Sequence, residues 1–102
     1  MKQITVITDN LQFPEGPIAM PDGSIIVVEI ARGTLSRVRP DGDISVIADL
    51  GGGPNGAAIG PDGACYVCNN GGFDWHKSSR GLVFPGHQPA NYDGGRIERV
   101  DL

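Results

Sequence analysis

One 40-residue offset constrains this chain more than any other feature. Pro14-Glu15-Gly16-Pro17-Ile18-Ala19-Met20-Pro21-Asp22-Gly23 returns as Pro54-Asn55-Gly56-Ala57-Ala58-Ile59-Gly60-Pro61-Asp62-Gly63. Upstream, Ile4-Thr5-Val6-Ile7-Thr8-Asp9 returns as Ile44-Ser45-Val46-Ile47-Ala48-Asp49 at the same offset of 40 residues. Two segments that keep one offset without a gap define a repeat. A repeat of this length points to stacked copies of one supersecondary unit.

Each unit reads as four short strands. Ile18 to Met20 passes through Pro21-Asp22-Gly23 into the β-branched run Ser24-Ile25-Ile26-Val27-Val28-Glu29. Thr34-Leu35-Ser36-Arg37-Val38 alternates, and Pro40-Asp41-Gly42 turns it into Ile44 to Ile47. Sixteen glycines and eight prolines fall between short apolar runs, and no 3.6-residue apolar period is present, so the chain is expected to be all-β. Four strands in 40 residues is the period of a β-propeller blade, and the expected fold is about two four-stranded blades of a six-bladed propeller. Residues 4–43 read as a closing strand plus the first blade. Residues 44–102 read as that blade's outer strand and an incomplete second blade. Gly33 to Val38 aligns with Gly95 to Val100 at an offset of 62, so a loop insertion of some 22 residues lies within 71–94.

Composition narrows the function classes. A net charge of −4 supplies no basic stripe for nucleic acid and no hold on anionic lipid. No apolar run of membrane-spanning length occurs and the start lacks a secretion signal, so a cytoplasmic protein is expected. Cys65 and Cys68, three apart in a strand, are expected on opposite faces as small apolar residues rather than as a disulfide or metal pair.

Strand direction separates the connections. The Pro-Asp-Gly turns share one end of the blades. Glu15, Asn55 and the insertion converge on the other. A carboxylate and an amide oxygen suit calcium or magnesium, although Glu15 also reads as an ordinary strand-start acid and Asn55 as a turn residue. Glu29, at a strand end, reads as solvated. The insertion carries Phe73, Asp74, Trp75, His76, Phe84, His87 and Tyr92. Aromatics there either border a pocket or pack the loop onto the blades, the expected role of Phe73 and Phe84. His76 and His87 are candidate acid–base or substrate-contact groups, without the third ligand a zinc site needs.

Phe13-Pro14-Glu15-Gly16-Pro17, the Pro-Asp-Gly turns, Gly53-Pro54-Asn55-Gly56 and Cys68-Asn69-Asn70-Gly71-Gly72-Phe73 together resemble the opening of the senescence-marker-protein/gluconolactonase/regucalcin-like family. Pro-Glu-Gly-Pro is the most specific element, and the similarity extends over essentially the whole chain. The resemblance implies a six-bladed propeller about three times this length, with one catalytic divalent metal in its channel, often calcium, and hydrolysis of sugar-acid lactones or related esters. It implies that Glu15 matches the first metal ligand and that Asn55 is a pocket residue within reach of the metal. Asn55, Asn69, Trp75 and His76 are then the candidate substrate contacts.

Three expectations follow. The first is a fragment of a lactone hydrolase in which the metal activates water; its partner is a small-molecule substrate, not nucleic acid or membrane. The second is a non-catalytic propeller module that binds calcium or a small molecule. The third concerns assembly: three two-blade copies could close a ring as a homotrimer. Two blades alone leave edges open, so marginal stability is expected of the monomer.

Overall fold

The turns set the frame. Each Pro-Asp-Gly triplet forms the same three-residue hairpin loop. Its glycine N–H donates to the carbonyl three residues back: Gly23 to Met20 at 3.0 Å, Gly42 to Arg39 at 2.8 Å and Gly63 to Gly60 at 3.0 Å. Its aspartate Oδ1 accepts the N–H two residues on, from Ser24, Asp43 and Ala64 at 2.9, 2.9 and 3.1 Å. The three glycines sit at φ of +87°, +89° and +80°, where a side chain would be strained.

The computed structural model describes Met1–Leu102, and it contains nine strands and no helix. β1 (Pro14–Ala19), β2 (Ile25–Glu29), β3 (Thr34–Val38) and β4 (Ile44–Asp49) pair in sequence order as one antiparallel sheet. β5 (Pro54–Ile59), β6 (Cys65–Asn69) and β9 (Arg96–Val100) form a second sheet of three strands. β7 (Trp75–Lys77) and β8 (Val83–Pro85) make a small hairpin between β6 and β9. The insertion therefore lies where the offset change put it, but part of it is a hairpin rather than loop throughout.

The two sheets stack head to tail. Ile26, Val28 and Leu35 point from the first sheet into a core with Cys65 and Val67 of the second, all five fully buried. In repeat terms Cys65 and Val67 correspond to Ile25 and Val27, which lie on the opposite face of β2 from Ile26 and Val28. One face of the first unit thus meets the other face of the second. At the interface β1 and β5 run side by side. A side-chain carbon on Gly16 would lie 3.3 Å from both Ala57 N and Gly56 Cα, tight enough that the strands would have to give by a few tenths of an ångström, and its φ of +58° also favours glycine. Cys65 is buried and Cys68 exposed, both free, as their spacing implies.

Two expectations are corrected. Ile4–Asp9 is not a strand; no strand precedes Pro14, and Ile4 and Val6 are 88% and 75% exposed. A strand exists only through pairing with a neighbour's free edge, and Ile4–Asp9 pairs with neither β4 nor β9, the edges that remain open. The segment instead crosses the outer face of the first sheet, where Val6, Ile7 and Leu11 border a cavity of about 410 Å3 with Ile25, Val27 and Val38. Glu29, expected in solvent, is fully buried. Its carboxylate accepts from Ser36 Oγ at 2.6 Å, Arg32 Nε at 2.8 Å, Gln12 N at 2.8 Å and Thr34 Oγ1 at 3.1 Å. Its partners come from the run-in to β1 (Gln12), from the following turn (Arg32) and from β3 (Thr34 and Ser36).

Burial pushes the Glu29 carboxyl up, but the hydrogen bonds from Ser36, Arg32, Gln12 and Thr34 outweigh it and hold the group below the ordinary glutamate range. A carboxyl depressed on folding adds stability that is complete above its unfolded value and fades as pH falls through its folded one. Urea midpoints are therefore expected to drop on acidification below about pH 4. Glu29→Ala should cost about 3–5 kcal/mol at neutral pH. Glu29→Gln, the milder change, should flatten the acid limb. Identical acid limbs in wild type and Glu29→Gln would show that this carboxylate is not the group responsible.

Candidate functional site

β1 and β5 each open with a proline followed by a polar residue, and their adjacency brings Glu15 and Asn55 to one cavity of about 310 Å3. That volume is at the small end of small-molecule sites. Asn70, just past β6, adds a third polar group, and Ile30, just past β2, adds an apolar one. Ile30 and Asn70 are themselves 40 residues apart. Both pairs of repeat-equivalent positions thus face the same space, with the chemistry divided between the units.

Aromatic side chains wall the cavity. Trp75 packs against Phe13, ring centroids 5.2 Å apart, and meets Phe73 edge-on at 5.8 Å. Phe13 holds this place with φ of +60°, an unusual conformation for a bulky residue directly before Pro14-Glu15. Its carbonyl accepts Ile30 N–H at 3.0 Å, which ties the start of β1 to the end of β2. Local strain is thus stored beside the one carboxylate of the cavity.

Glu15 makes no hydrogen bond or ion pair within the chain, and it is the only titratable side chain bordering this cavity. Asn70 Oδ1 accepts Gly72 N–H at 2.8 Å, which aligns its amide. Nowhere does a group of three or more His, Cys, Asp or Glu side chains gather as a metal cluster would require. The oxygens of Glu15, Asn55 and Asn70 are the hard donors present. The most perturbed carboxyl, Asp62, held at about 2 chiefly by Tyr66 Oη and then by Ala64 N–H and Arg99, belongs to a Pro-Asp-Gly turn at the far end of the sheet.

The other sequence candidates divide. Trp75 borders the cavity. His76, next along β7, points away from it and stacks on Phe84 within the hairpin, centroids 5.5 Å apart. His87 is exposed and contributes its carbonyl to Asp74 N–H at 2.8 Å. Phe73 borders the cavity, and Phe84 packs within the hairpin rather than on the sheets. Asn69, expected as a substrate contact, is buried and committed. Its Oδ1 accepts from Gly53 and Gly71, and its Nδ2 donates to Gly51 O and Glu98 Oε1. Every hydrogen-bonding position it has is used inside the fold. Phe13, Ile30, Asn70 and Pro85 are the cavity residues the sequence reading missed; the repeat relation of Asn70 to Ile30 was the signal for those two.

No protein-family model matches the chain, and no curated protein matches it in sequence. No helix is long and apolar enough to cross a membrane.

Trp75 is the only tryptophan, so its emission reports on this wall alone. Phe13→Ala is expected to shift that emission to the red and to cost about 1 kcal/mol from the lost aromatic pair. An unchanged spectrum would mean that Phe13 does not shield Trp75 in solution.

Proposed function

We propose that the chain is part of a β-propeller of the senescence-marker-protein/gluconolactonase/regucalcin-like family, with metal-dependent lactone hydrolysis as the activity of the parent protein. One observation carries this reading: Glu15 and Asn55, equivalent positions of the repeat, border one cavity because β1 and β5 are adjacent. In a radial array of four-stranded units the first strand of each is innermost, so such a pair would line a central channel. Head-to-tail stacking of the two sheets supports the radial array. The second unit keeps free the face that a further neighbour would use, while the N-terminal segment covers part of the corresponding face of the first.

The donor set fits a hard cation. Glu15 and Asn55 would hold calcium or a similar divalent ion, with Asn70 close by; calcium takes about six to eight oxygens, more than this cavity supplies. When bound, such an ion polarises a carbonyl and acidifies water. The chain's own residues orient the substrate. Amides of Asn55 and Asn70 hydrogen-bond its oxygens, while Phe13 and Trp75 present apolar surface to its ring and exclude water.

A non-catalytic module that binds calcium or a small molecule is the second reading. It is favoured by the lone titratable group in the cavity, which leaves no acid–base pair within reach. Calcium titration of the wild-type chain and Glu15→Gln, together with a panel of sugar-acid lactones assayed with calcium and after chelation, separates the two. Turnover that rises with calcium and falls at least about tenfold in Glu15→Gln, a scale typical of metal-site partners, is the hydrolase outcome. Calcium binding that Glu15→Gln abolishes, with no turnover, assigns the binding module. Calcium binding indifferent to Glu15→Gln removes the metal from both readings.

A further inference from the structure

β9 has a hydrogen-bonded neighbour on one side only. Its repeat equivalent, β3, sits between β2 and β4, whereas β9 pairs with β6 and presents an open edge. The face beside that edge is apolar: Tyr66, Cys68 and Ile97 stand where Ile26, Val28 and Leu35 stand in the first unit. There those positions are buried in the central core; here they are exposed, Ile97 at 68%. The strand that would fit the edge is already in the sequence. Ile4-Thr5-Val6-Ile7-Thr8-Asp9 repeats β4, Ile44-Ser45-Val46-Ile47-Ala48-Asp49. It forms no strand, and no backbone hydrogen bond joins it to the rest of the chain. It lies on the outer face of the first sheet, beside Ile25, Val27 and Val38, so that sheet separates it from the second sheet of its own chain. A second copy meets no such barrier.

The register of β3 with β4 gives the pairing. Thr34↔Asp49, Leu35↔Ala48 and Ser36↔Val46, with a bulge between the last two pairs, become Arg96 opposite Asp9, Ile97 opposite Thr8 and Glu98 opposite Val6. Ile7 then takes the bulged place of Ile47, which packs against the central core, and covers the apolar face around Ile97. Asp9 meets Arg96 where the first unit has an uncharged Thr34, a favourable cross-strand pairing. Arg96 already faces Glu98 at 3.3 Å, so the charge adds little, and the backbone edge with its apolar face carries the contact. The connection matches as well. Four residues, 50–53, lead from β4 into β5, and four, 10–13, lead from Asp9 into β1. A donated strand therefore sets the donor's first sheet against the acceptor's second sheet, as the two sheets of one chain already stack. Its departure also uncovers Ile25 and Val27 of the donor, the equivalents of Cys65 and Val67, to meet Tyr66, Cys68 and Ile97 of the acceptor.

We propose that copies of this chain associate head to tail, residues 4–9 of one completing the second sheet of the next as a fourth strand along β9. Donor and acceptor surfaces differ, so the contact is heterologous, and each copy gives one strand and receives one. The proposal rests on the repeat and the open edge and is independent of the lactone-hydrolase reading.

Cross-linking tests the register, in a Cys68→Ser background because Cys68 lies opposite Ile97 within the sheet. Chains carrying Thr8→Cys are mixed with chains carrying Ile97→Cys and oxidised. Opposed residues of an antiparallel pair stand about 4.5–5.5 Å apart at Cα, within disulfide range. The expected main product joins one chain of each kind. Val6→Cys in place of Thr8→Cys, which the same register turns to the other face, should give little. Light scattering is the second measurement. The mass of the wild-type chain should rise above that of one copy as concentration increases. Ile97→Lys, a charge at an exposed edge position, should abolish that rise with an unchanged far-ultraviolet circular dichroism spectrum. The proposal is overturned by a wild-type chain that stays monomeric, by association that Ile97→Lys leaves intact, or by Val6→Cys cross-linking as well as Thr8→Cys. The first outcome leaves the β9 edge to a strand from another source, and the other two put the contact elsewhere on the sheets.

Discussion

The polar group at the end of the second strand of each unit is what the remaining geometry depends on. In the first unit Glu29 gathers Gln12 N–H, Arg32, Thr34 and Ser36. Forty residues later Asn69 gathers Gly53 N–H, Gly51 O, Gly71 N–H and Glu98. Each ties the run-in of the unit's first strand to the end of its second. That tie fixes where β1 and β5 begin, and Glu15 and Asn55 are the second residues of those strands. Charge is conserved across the change of residue. The carboxylate moves from β2 in the first unit to β9 in the second, where Glu98 stands at the position of Ser36. Left without partners, such buried groups would cost several kcal/mol, so the networks hold together or fail together.

A repeat gives equivalent backbone positions, and function needs unlike side chains at them. Glu15 against Asn55 and Ile30 against Asn70 show the solution: the scaffold repeats while the cavity-facing positions diverge. The Pro-Asp-Gly end of the sheets shows the opposite behaviour. Its three turns are near copies, each with the same aspartate cap, because they answer only to local geometry. Diversity gathers where the connections vary in length, at the end that holds the cavity of Glu15 and Asn55, and the hairpin of β7 and β8 adds the aromatic wall there.

How much could be read from the sequence follows from the range of the interactions involved. The turns, the strand order of both sheets, the position of the insertion and the opposite faces of Cys65 and Cys68 depend on neighbours a few residues apart, and all were legible. The shared cavity of Glu15 and Asn55 was legible through the repeat. The fate of Ile4–Asp9 was not, because strand character there depends on docking against one particular free edge, and the residue pattern does not say whether the segment reaches it. The burial of Glu29 was hidden because one of its partners is 17 residues upstream, in a segment without secondary structure. Asn69 and Asn70, like Trp75 and His76, differ by a single step of alternation. Which member of such a pair faces the cavity is settled by where the strand ends and how the hairpin docks, and composition carries neither.

The two outer faces of the stack differ in a way that bears on the cavities. The first sheet's outer face is covered in part by the N-terminal segment, which leaves Val27 and Val38 buried. The second sheet's outer face shows Ala58, Tyr66, Cys68 and Ile97, the last 68% exposed. Tyr66, Cys68 and Ile97 are the equivalents of Ile26, Val28 and Leu35, three residues of the central core. An apolar face and the open edges of β4 and β9 favour association through the sheets. The cavity shared by Glu15 and Asn55 lies at the end of the inner interface, where the close passage of β1 and β5 and the Glu29 and Asn69 networks set its position, and Glu15 also borders the outer-face cavity under the N-terminal segment. The spacing of that pair is most exposed to substitutions at Gly16, where a side-chain carbon would press to 3.3 Å against the β5 backbone at a φ of +58°.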